Sequence, residues 1–324
     1  MENKSKAERL KLMSSGAEDL EQWIFDLIRQ GLAVLDGETT LWSDIAARMV
    51  DAKMGGLAHK LRYLEQLSTD DWPEKVLEEF GRLYLLTQGF KNFEKMPESL
   101  QTQLQLVGGL TVRKKDLLVE NGTLDVWLVL GNWRGVNVDQ AAYRKIWIQG
   151  KDTQEMALLV EYDYTGAGFE GEFKVGEPVK AEVVYYPGAY PLRVVIKHRY
   201  PPEKQAAQIV TYENLEAMQS AYAEALSQNP WLSAFPCTLV EVTPICYESR
   251  FYLVDKSKHK VELETKEQAG WSLLSMSGGK PVIVFGEWKG DCLFPLSVFA
   301  EGQFADLGKY NSVEPPKRFK RERF

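Results

Sequence analysis

The sequence predicts an α+β protein with a helical N-terminal region, an antiparallel β domain, a connecting helix and a smaller C-terminal β module. Up to about residue 107, apolar residues recur every three or four positions, which is typical of amphipathic helices. Beyond that point they alternate in short runs that are rich in β-branched and aromatic residues. The turns between these runs are too short for crossover helices, which favours antiparallel pairing.

These patterns divide the 324 residues into five parts. We expect a flexible N-terminus at 1–15, a helical domain at 16–110, an antiparallel β domain at 111–204, a helix plus C-terminal β module at 205–310, and a disordered basic tail at 311–324.

Two adjacent glycines, Gly55 and Gly56, interrupt a helical stripe that otherwise continues in phase from Trp42 to Leu64. Each glycine inside a helix costs about 1 kcal/mol relative to alanine, so one continuous helix is disfavoured. The pattern predicts that one helix ends near Lys53 and that another begins at Gly56 or Leu57. A helix-turn-helix that reads DNA is the alternative, with His59, Lys60 and Arg62 as the base-contacting residues.

The composition limits the classes of function. A net charge of −7 and a pI near 5.3 disfavour a protein that mainly binds nucleic-acid phosphates. Three scattered cysteines indicate a reducing, cytoplasmic setting. A charged N-terminus without an apolar core, and no run of 18 apolar residues, predict neither a signal peptide nor a membrane span. No metal or other cofactor is expected.

The first third of the chain resembles bacterial SWIM zinc-finger proteins, in the region that follows the finger. The resemblance rests on two blocks, "LEQWIFDLIRQGL" from Leu20 to Leu32 and "AARMVDA" from Ala46 to Ala52. Later segments such as "RKIWIQG" and "YYPGAYPLRVVI" look like the β part of the same proteins, so that the resemblance covers about residues 16–200. It implies a role in an assembly system with a MoxR-type AAA+ ATPase or a von Willebrand A-type protein as partner.

The defining element of that family is missing from this sequence. A SWIM finger binds zinc through a Cys-x-Cys pair followed by Cys-x-His, but the first cysteine here is Cys237. Cys237, Cys246 and Cys292 form no such pair, and no zinc site is predicted.

Candidate binding residues lie in two places. Tyr185, Tyr186, Tyr190 and Arg193 surround the proline turns of "YYPGAYPLR", and such a cluster either binds a peptide or a base or forms a structural turn. The second place is the helix that carries His59, Lys60 and Arg62. The acids of "EYDY", Glu161 and Asp163, suggest an acid/base pair or an ordinary strand surface.

The sequence contains none of the common catalytic motifs. We therefore expect a non-catalytic interaction or assembly protein with an unidentified protein partner. A nucleic-acid-binding protein and a hydrolase with an unrecognised carboxylate site are the alternatives.

Overall fold

The computed structural model describes residues 2–35, 39–66, 72–137, 139–201 and 209–313, with side chains from residue 7 onward. The described chain forms two compact units. The helical unit comprises the chain up to Arg113 together with Pro187–Tyr190 and Gln228–Trp231, and the β unit comprises the rest. The α+β class predicted from the sequence is confirmed, while the five-part division remains a prediction.

Five long helices build the helical unit. They are α1 (Glu2–Gln30), α2 (Thr39–Asp51), α3 (Gly55–Glu65), α4 (Trp72–Lys91) and α5 (Glu98–Gly108), with short 3₁₀ helices at Leu32–Leu35 and Phe93–Lys95. Their apolar stripes meet in one core that includes Trp42, Phe80 and Met13. Helix α1 begins at Glu2, so most of the segment that the sequence assigned to a flexible N-terminus is helical.

The predicted break between two helices is confirmed: α2 ends at Asp51, and α3 begins at Gly55, one residue before the earliest predicted start. Lys53 adopts a positive φ of 62° between α2 and α3, and Met54 there is fully buried. The two glycines differ in their surroundings. A Cβ on Gly55 would meet no atom within 4 Å, whereas a Cβ on Gly56 would lie 2.6 Å from the carbonyl oxygen of Val107 at the end of α5. Gly56 is therefore the position at which α3 and α5 touch.

The β unit contains four helices and eleven strands among its described residues. They are α6 (Lys114–Leu117), β1 (Thr123–Val136), β2 (Ala142–Gly150), β3 (Met156–Asp163), β4 (Pro178–Tyr185), β5 (Arg193–Arg199), α7 (Leu215–Gln228), β6 (Phe235–Tyr247), β7 (Arg250–Val254), β8 (Lys260–Leu263), α8 (Glu267–Ser277), β9 (Val282–Trp288), β10 (Cys292–Ala300), β11 (Gln303–Asp306) and α9 (Gly308–Asn311).

Strands β1–β5 close into a first barrel in the order β1-β2-β3-β5-β4, and β4 returns to β1. Strand β1 is long enough to pair with β4 through its first half and with β2 through its second half. Trp127, Ile146 and Phe173 fill the interior together with smaller apolar side chains. This five-stranded closed arrangement is that of the OB-fold.

Strands β6–β10 repeat the arrangement. Strand β6 pairs with β7 and β9, β7 with β8, β8 with β10, and β9 with β10, so these five strands also form a closed ring. Helix α8 lies between its third and fourth strands, and β11 extends the sheet beyond β10. The β unit therefore contains two barrels with the same strand order, a duplication that the sequence analysis missed.

In each barrel the third strand runs parallel to the fifth, at β3–β5 and at β8–β10. The antiparallel pairing predicted for the first five strands holds except between β3 and β5. The prediction assumed that parallel neighbours need a direct crossover helix. In each barrel the chain passes from the third strand to the fourth strand, which pairs with the first strand, and then returns in the fifth strand. Closure of the barrel therefore places the third and fifth strands side by side and parallel.

The second barrel covers much of the outer face of the first. The Ser297 hydroxyl donates a 2.5 Å hydrogen bond to the carbonyl of Leu130, and Leu296 and Phe285 close over Gly131, where a Cβ would lie 2.9 Å from Leu296. The indole Nε1 of Trp147 donates to the buried Glu287 carboxylate at 2.7 Å.

The predicted disordered tail at 311–324 lies mostly outside the described residues. Its first three residues are described, and they are held in place. Asn311 is buried and donates to the carbonyl of Pro295, while the amide of Val313 donates to the carbonyl of Arg134. In the described part of the chain, no helix has the length and apolar character needed to cross a membrane.

Candidate functional site

Four aromatic side chains lie next to one another on the outer face of the first barrel, beginning at the part that the second barrel covers, and we call them the aromatic row: Trp133, Tyr143, Tyr162 and Tyr164. Successive ring centroids lie 5.5, 6.0 and 5.7 Å apart. Exposure increases along the row, to 44% for Tyr162 and 63% for Tyr164. The row is therefore a chain of neighbouring rings that is partly buried at Trp133 and Tyr143 and exposed at Tyr162 and Tyr164.

Strand register brings the row together. Tyr143 on β2 pairs directly with Tyr162 on β3, and on its other side with Gly135 on β1. Because side chains alternate across a strand, all three positions share the outer face. Gly135 has no side chain, and a Cβ there would lie 2.6 Å from the Tyr143 ring. The missing side chain lets Tyr143 lie over β1, next to Trp133.

At the covered end, the row reaches the second barrel. The Trp133 ring packs edge-to-face against Phe294 at 5.2 Å, and the Lys145 ammonium lies 5.3 Å from the Trp133 ring centroid. Lys145 also contacts Glu287 at 3.5 Å. The first ring of the row thus already binds a cation from within the protein.

At the exposed end, Asp163 fixes the loop that carries Tyr164. Its carboxylate accepts hydrogen bonds from the amides of Thr165, Gly166, Ala167 and Gly168 at 2.7–3.2 Å. The bond from the Gly168 amide is the main cause that holds the pKa of Asp163 below its ordinary value. The Tyr164 ring lies nearly parallel to that of Tyr162, at an interplanar angle of 16°.

We expect Asp163→Ala to release this loop while leaving the barrel folded, because the carboxylate accepts its bonds from exposed loop groups, the amides of residues 165–168 and the Thr165 hydroxyl. The amides of Gly166 and Gly168 should exchange with deuterium at least about tenfold faster than in the parent protein, since each loses its acceptor. Exchange at the buried strand position Ile148 serves as the internal control. Unchanged protection of the two glycines would show that Asp163 does not hold the loop.

Glu161, the other acid of the "EYDY" segment, lies at the mouth of the barrel. It accepts a 2.5 Å bond from the Arg144 guanidinium, which also donates to the carbonyls of Glu170 and Gly171. Arg144 is nearly fully buried and lies over the rings of Phe169 and Phe173. Each acid of the suggested pair thus has its own structural partners, and the hydrolase alternative gains no support from this geometry.

The tyrosines predicted from "YYPGAYPLR" belong to two units. The Arg193 guanidinium lies 4.5 Å from the Tyr186 ring centroid, and the Tyr185 hydroxyl donates to the carbonyl of Met156. Burial raises the pKa of Tyr185. Tyr190, with a φ of 51°, is grouped with the helical unit and not with the other three residues. The cluster therefore stays a prediction.

The cationic residues predicted to read DNA lie on α3. Lys60 forms a 2.5 Å ion pair with Glu79 of α4, and Arg82 contacts the same carboxylate and Glu78. His59 is half-buried, and Arg62 is exposed. Acidic neighbours thus reduce the positive potential of this face, although the site itself stays a prediction.

No three histidine, cysteine, aspartate or glutamate side chains of the described residues are grouped so that they could hold a metal ion. Among the thiols, Cys237 is buried, which raises its pKa. Burial, with help from Asp291, raises the pKa of Cys292 to about 12, so both thiols are protonated at neutral pH.

The fold and the aromatic row together define an α+β protein that joins a helical bundle to two OB-type barrels. The family comparison addresses the helical part: residues 8–107 match the model of the SWIM-associated four-helix bundle domain. The match confirms the resemblance to SWIM-family proteins over this region. No curated protein and no solved structure matches the chain.

Sequence reasoning missed the aromatic row. The "EYDY" segment was predicted to act, if at all, through its acids, whereas its two tyrosines form the exposed end of the row. Two tyrosines at positions i and i+2 at the end of a predicted strand were an available signal, because they must share a face.

Proposed function

We propose that this protein is a non-catalytic interaction protein of an assembly system that includes a MoxR-type AAA+ ATPase, and that it binds its protein partner through the aromatic row. The observation that carries the proposal is the row itself. Exposed, preorganised aromatic side chains are the residues that most often dominate the energy of protein interfaces. The match of residues 8–107 to the SWIM-associated domain supports the class of system, because SWIM-family resemblance implies that link.

The proposal is tested by placing a photo-crosslinking phenylalanine derivative at position 164 of the full chain in cells. An aromatic probe preserves the row, and we expect it to crosslink one AAA+ ATPase or von Willebrand A-type protein. The same probe at Tyr63, an equally exposed tyrosine on α3, is the control. The purified partner should then bind the parent protein at least about tenfold more tightly than the Tyr162→Ala/Tyr164→Ala variant.

Two results would count against the proposal in different ways. If position 164 crosslinks nothing beyond what position 63 does, the aromatic row is not the interface. A discrete partner of another class, bound through the row, would keep the interaction function and remove the AAA+ link.

Nucleic-acid binding is a second candidate, which the barrel arrangement favours. OB-folds bind oligonucleotides on the face of their second and third strands. In the second barrel that face carries Tyr252 with the Lys260 ammonium 5.1 Å from its ring, and Tyr247 is exposed on the adjoining strand. Binding of a 12-nucleotide oligothymidine that falls steeply with salt and is lost in Tyr252→Ala would support this candidate.

A further inference from the structure

A glycine that no contact within one molecule requires lies near the middle of the 20-residue helix α4. Gly81 is exposed, and a Cβ there would meet no atom within 4 Å. Glycine is disfavoured in a helix interior unless close packing or a special backbone conformation requires it. The other described glycines with equal free space adopt a positive φ, except for Gly55, which begins α3. Gly81 therefore indicates a close contact with another molecule.

Five large apolar side chains lie around this glycine, and we call them the α4 patch. Leu77 and Leu85 lie four residues before and after it, on the same side of α4. Tyr84 shares this side, and its ring centroid lies 5.5 Å from that of Phe25 on α1. Ile28 follows one turn after Phe25 on the same side of α1. All five side chains are exposed, by 37–53%.

We propose that two copies of this protein associate through the α4 patch, with their α4 helices crossing antiparallel at Gly81 on a two-fold axis. In a two-fold interface, a residue that contacts a second residue of the other copy is matched by the reverse contact. Because Leu77 and Leu85 lie at equal distances from Gly81, this axis places each of them against the other leucine of the second copy. The contact goes beyond the proposed function, because it lies on the helical unit and not on the aromatic row.

The glycine lets the two helices approach closely. Leu77, Gly81 and Leu85 form a row of every fourth residue, and such rows pack between those of a second helix with the axes about 8–10 Å apart. Without a side chain at the crossing point, the two backbones reach the lower end of this range. The equal spacing of the leucines is required by a two-fold contact, whereas a contact with an unrelated helix does not require it.

The size of the α4 patch agrees with a dimer contact. If each side chain has a total area of about 200 Å², the five exposed fractions add up to roughly 400 Å² of apolar surface. Contiguous apolar patches of a few hundred Å² often mark interaction sites. A typical interface takes about 800 Å² from each partner, of which somewhat more than half is apolar. The patch thus supplies most of the apolar area that a stable dimer needs.

The charged groups next to Gly81 are balanced within one copy. Arg82 contacts Glu78 at 2.5 Å and Glu79 at 2.7 Å, and Lys60 contacts Glu79 at 2.5 Å. Two cations therefore neutralise two carboxylates at this border of the patch. Two copies can approach each other here without the repulsion that like charges would cause.

Sedimentation velocity of the full chain at increasing micromolar concentrations tests the proposal. We expect a monomer–dimer equilibrium that Leu77→Glu, Leu85→Glu and Gly81→Leu each weaken at least about tenfold, because they place a charge in the contact or fill the notch. Leu12→Glu is the control, since Leu12 is as exposed as Leu85, at 45%, and lies about 160° around α1 from the patch residue sixteen positions later. Thermal melts verify that the variants fold.

Disulfide crosslinking tests the register of the crossing. Residue 77 of one copy faces residue 85 of the other, so a mixture of Leu77→Cys and Leu85→Cys should form a disulfide-linked dimer under mild oxidation. Each variant alone should crosslink no more than the parent chain, which supplies the background of its own three cysteines. A chain that stays monomeric, patch variants that dimerise like the parent, or equal crosslinking in the mixed and separate samples would each overturn the inference.

Discussion

Gly56→Ala is expected to destabilise the helical unit by about 2–3 kcal/mol, whereas Gly55→Ala should leave its stability unchanged or raise it slightly. A Cβ on Gly56 would lie 2.6 Å from the carbonyl oxygen of Val107 and 3.3 Å from the backbone of Gly109. These are backbone atoms, so relief requires α3 and α5 to move apart. A Cβ on Gly55 meets nothing within 4 Å, and alanine is the better helix former.

Each glycine variant is the control for the other. The two positions are adjacent at the start of α3, and the same substitution has the same effect on the unfolded chain. Differential scanning calorimetry of the full chain measures the effect as a shift of the transition of the helical unit. For a domain of this size, 2 kcal/mol corresponds to about 8 °C or more. Equal shifts for the two variants would contradict the close approach of α3 and α5.

The local elements of the fold were largely readable from the sequence, because they depend on local patterns. Strand β2 coincides with the segment "AYRKIWIQG", which is rich in β-branched and aromatic residues and ends in glycine. The hairpin between β9 and β10 turns at Lys289–Asp291, as its polar turn residues indicate. The break at Gly55 and Gly56 was predicted, but which of the two glycines is structurally required depends on α5, more than forty residues away in the chain.

Two features that depend on tertiary packing were missed, namely the extension of α1 before residue 16 and helix α8. Helix α1 continues through Gly16, although glycine disfavours a helix. A Cβ at this position would lie 2.3 Å from the Cβ of Ala52, so the close packing there requires a glycine. Helix α8 was missed for the same reason. Its Gly270 makes room for the ring of Phe251, which a Cβ would approach to 2.5 Å. At both positions the close contact accounts for the glycine better than local helix propensity does.

The duplicated barrel and the aromatic row were beyond sequence reasoning for a related reason. Parallel pairs such as β3–β5 join segments that neither a hairpin nor a crossover helix connects. The row joins residues from three strands, and its members become neighbours only when the register pairs Tyr143 with Tyr162. Which part of the outer face stays open is decided by the second barrel, more than one hundred residues further along the chain.

Glu287 of the second barrel contacts Trp147 and Lys145 of the first barrel. Its substitution is therefore the second change for which we expect a large loss of stability. Its carboxylate is 1% exposed, accepts the Trp147 indole at 2.7 Å and lies 3.5 Å from the Lys145 ammonium. Glu287→Ala leaves a buried indole N–H without its acceptor and Lys145 without this carboxylate. We expect a loss of about 3 kcal/mol in the free energy of unfolding of the β unit.

Two further variants separate the causes of that loss. Glu287→Gln keeps an acceptor for Trp147 but removes the charge near Lys145, so its cost should fall between those of the parent and the alanine variant. Glu262→Ala removes an exposed carboxylate that pairs with Arg250 on the same barrel, and such surface pairs contribute at most about 1 kcal/mol. Urea unfolding followed by tryptophan fluorescence measures all three. If Glu287→Ala lowers the free energy of unfolding no more than Glu262→Ala does, the buried carboxylate does not hold the two barrels together. Their packing at this carboxylate would then not determine which part of the outer face stays open.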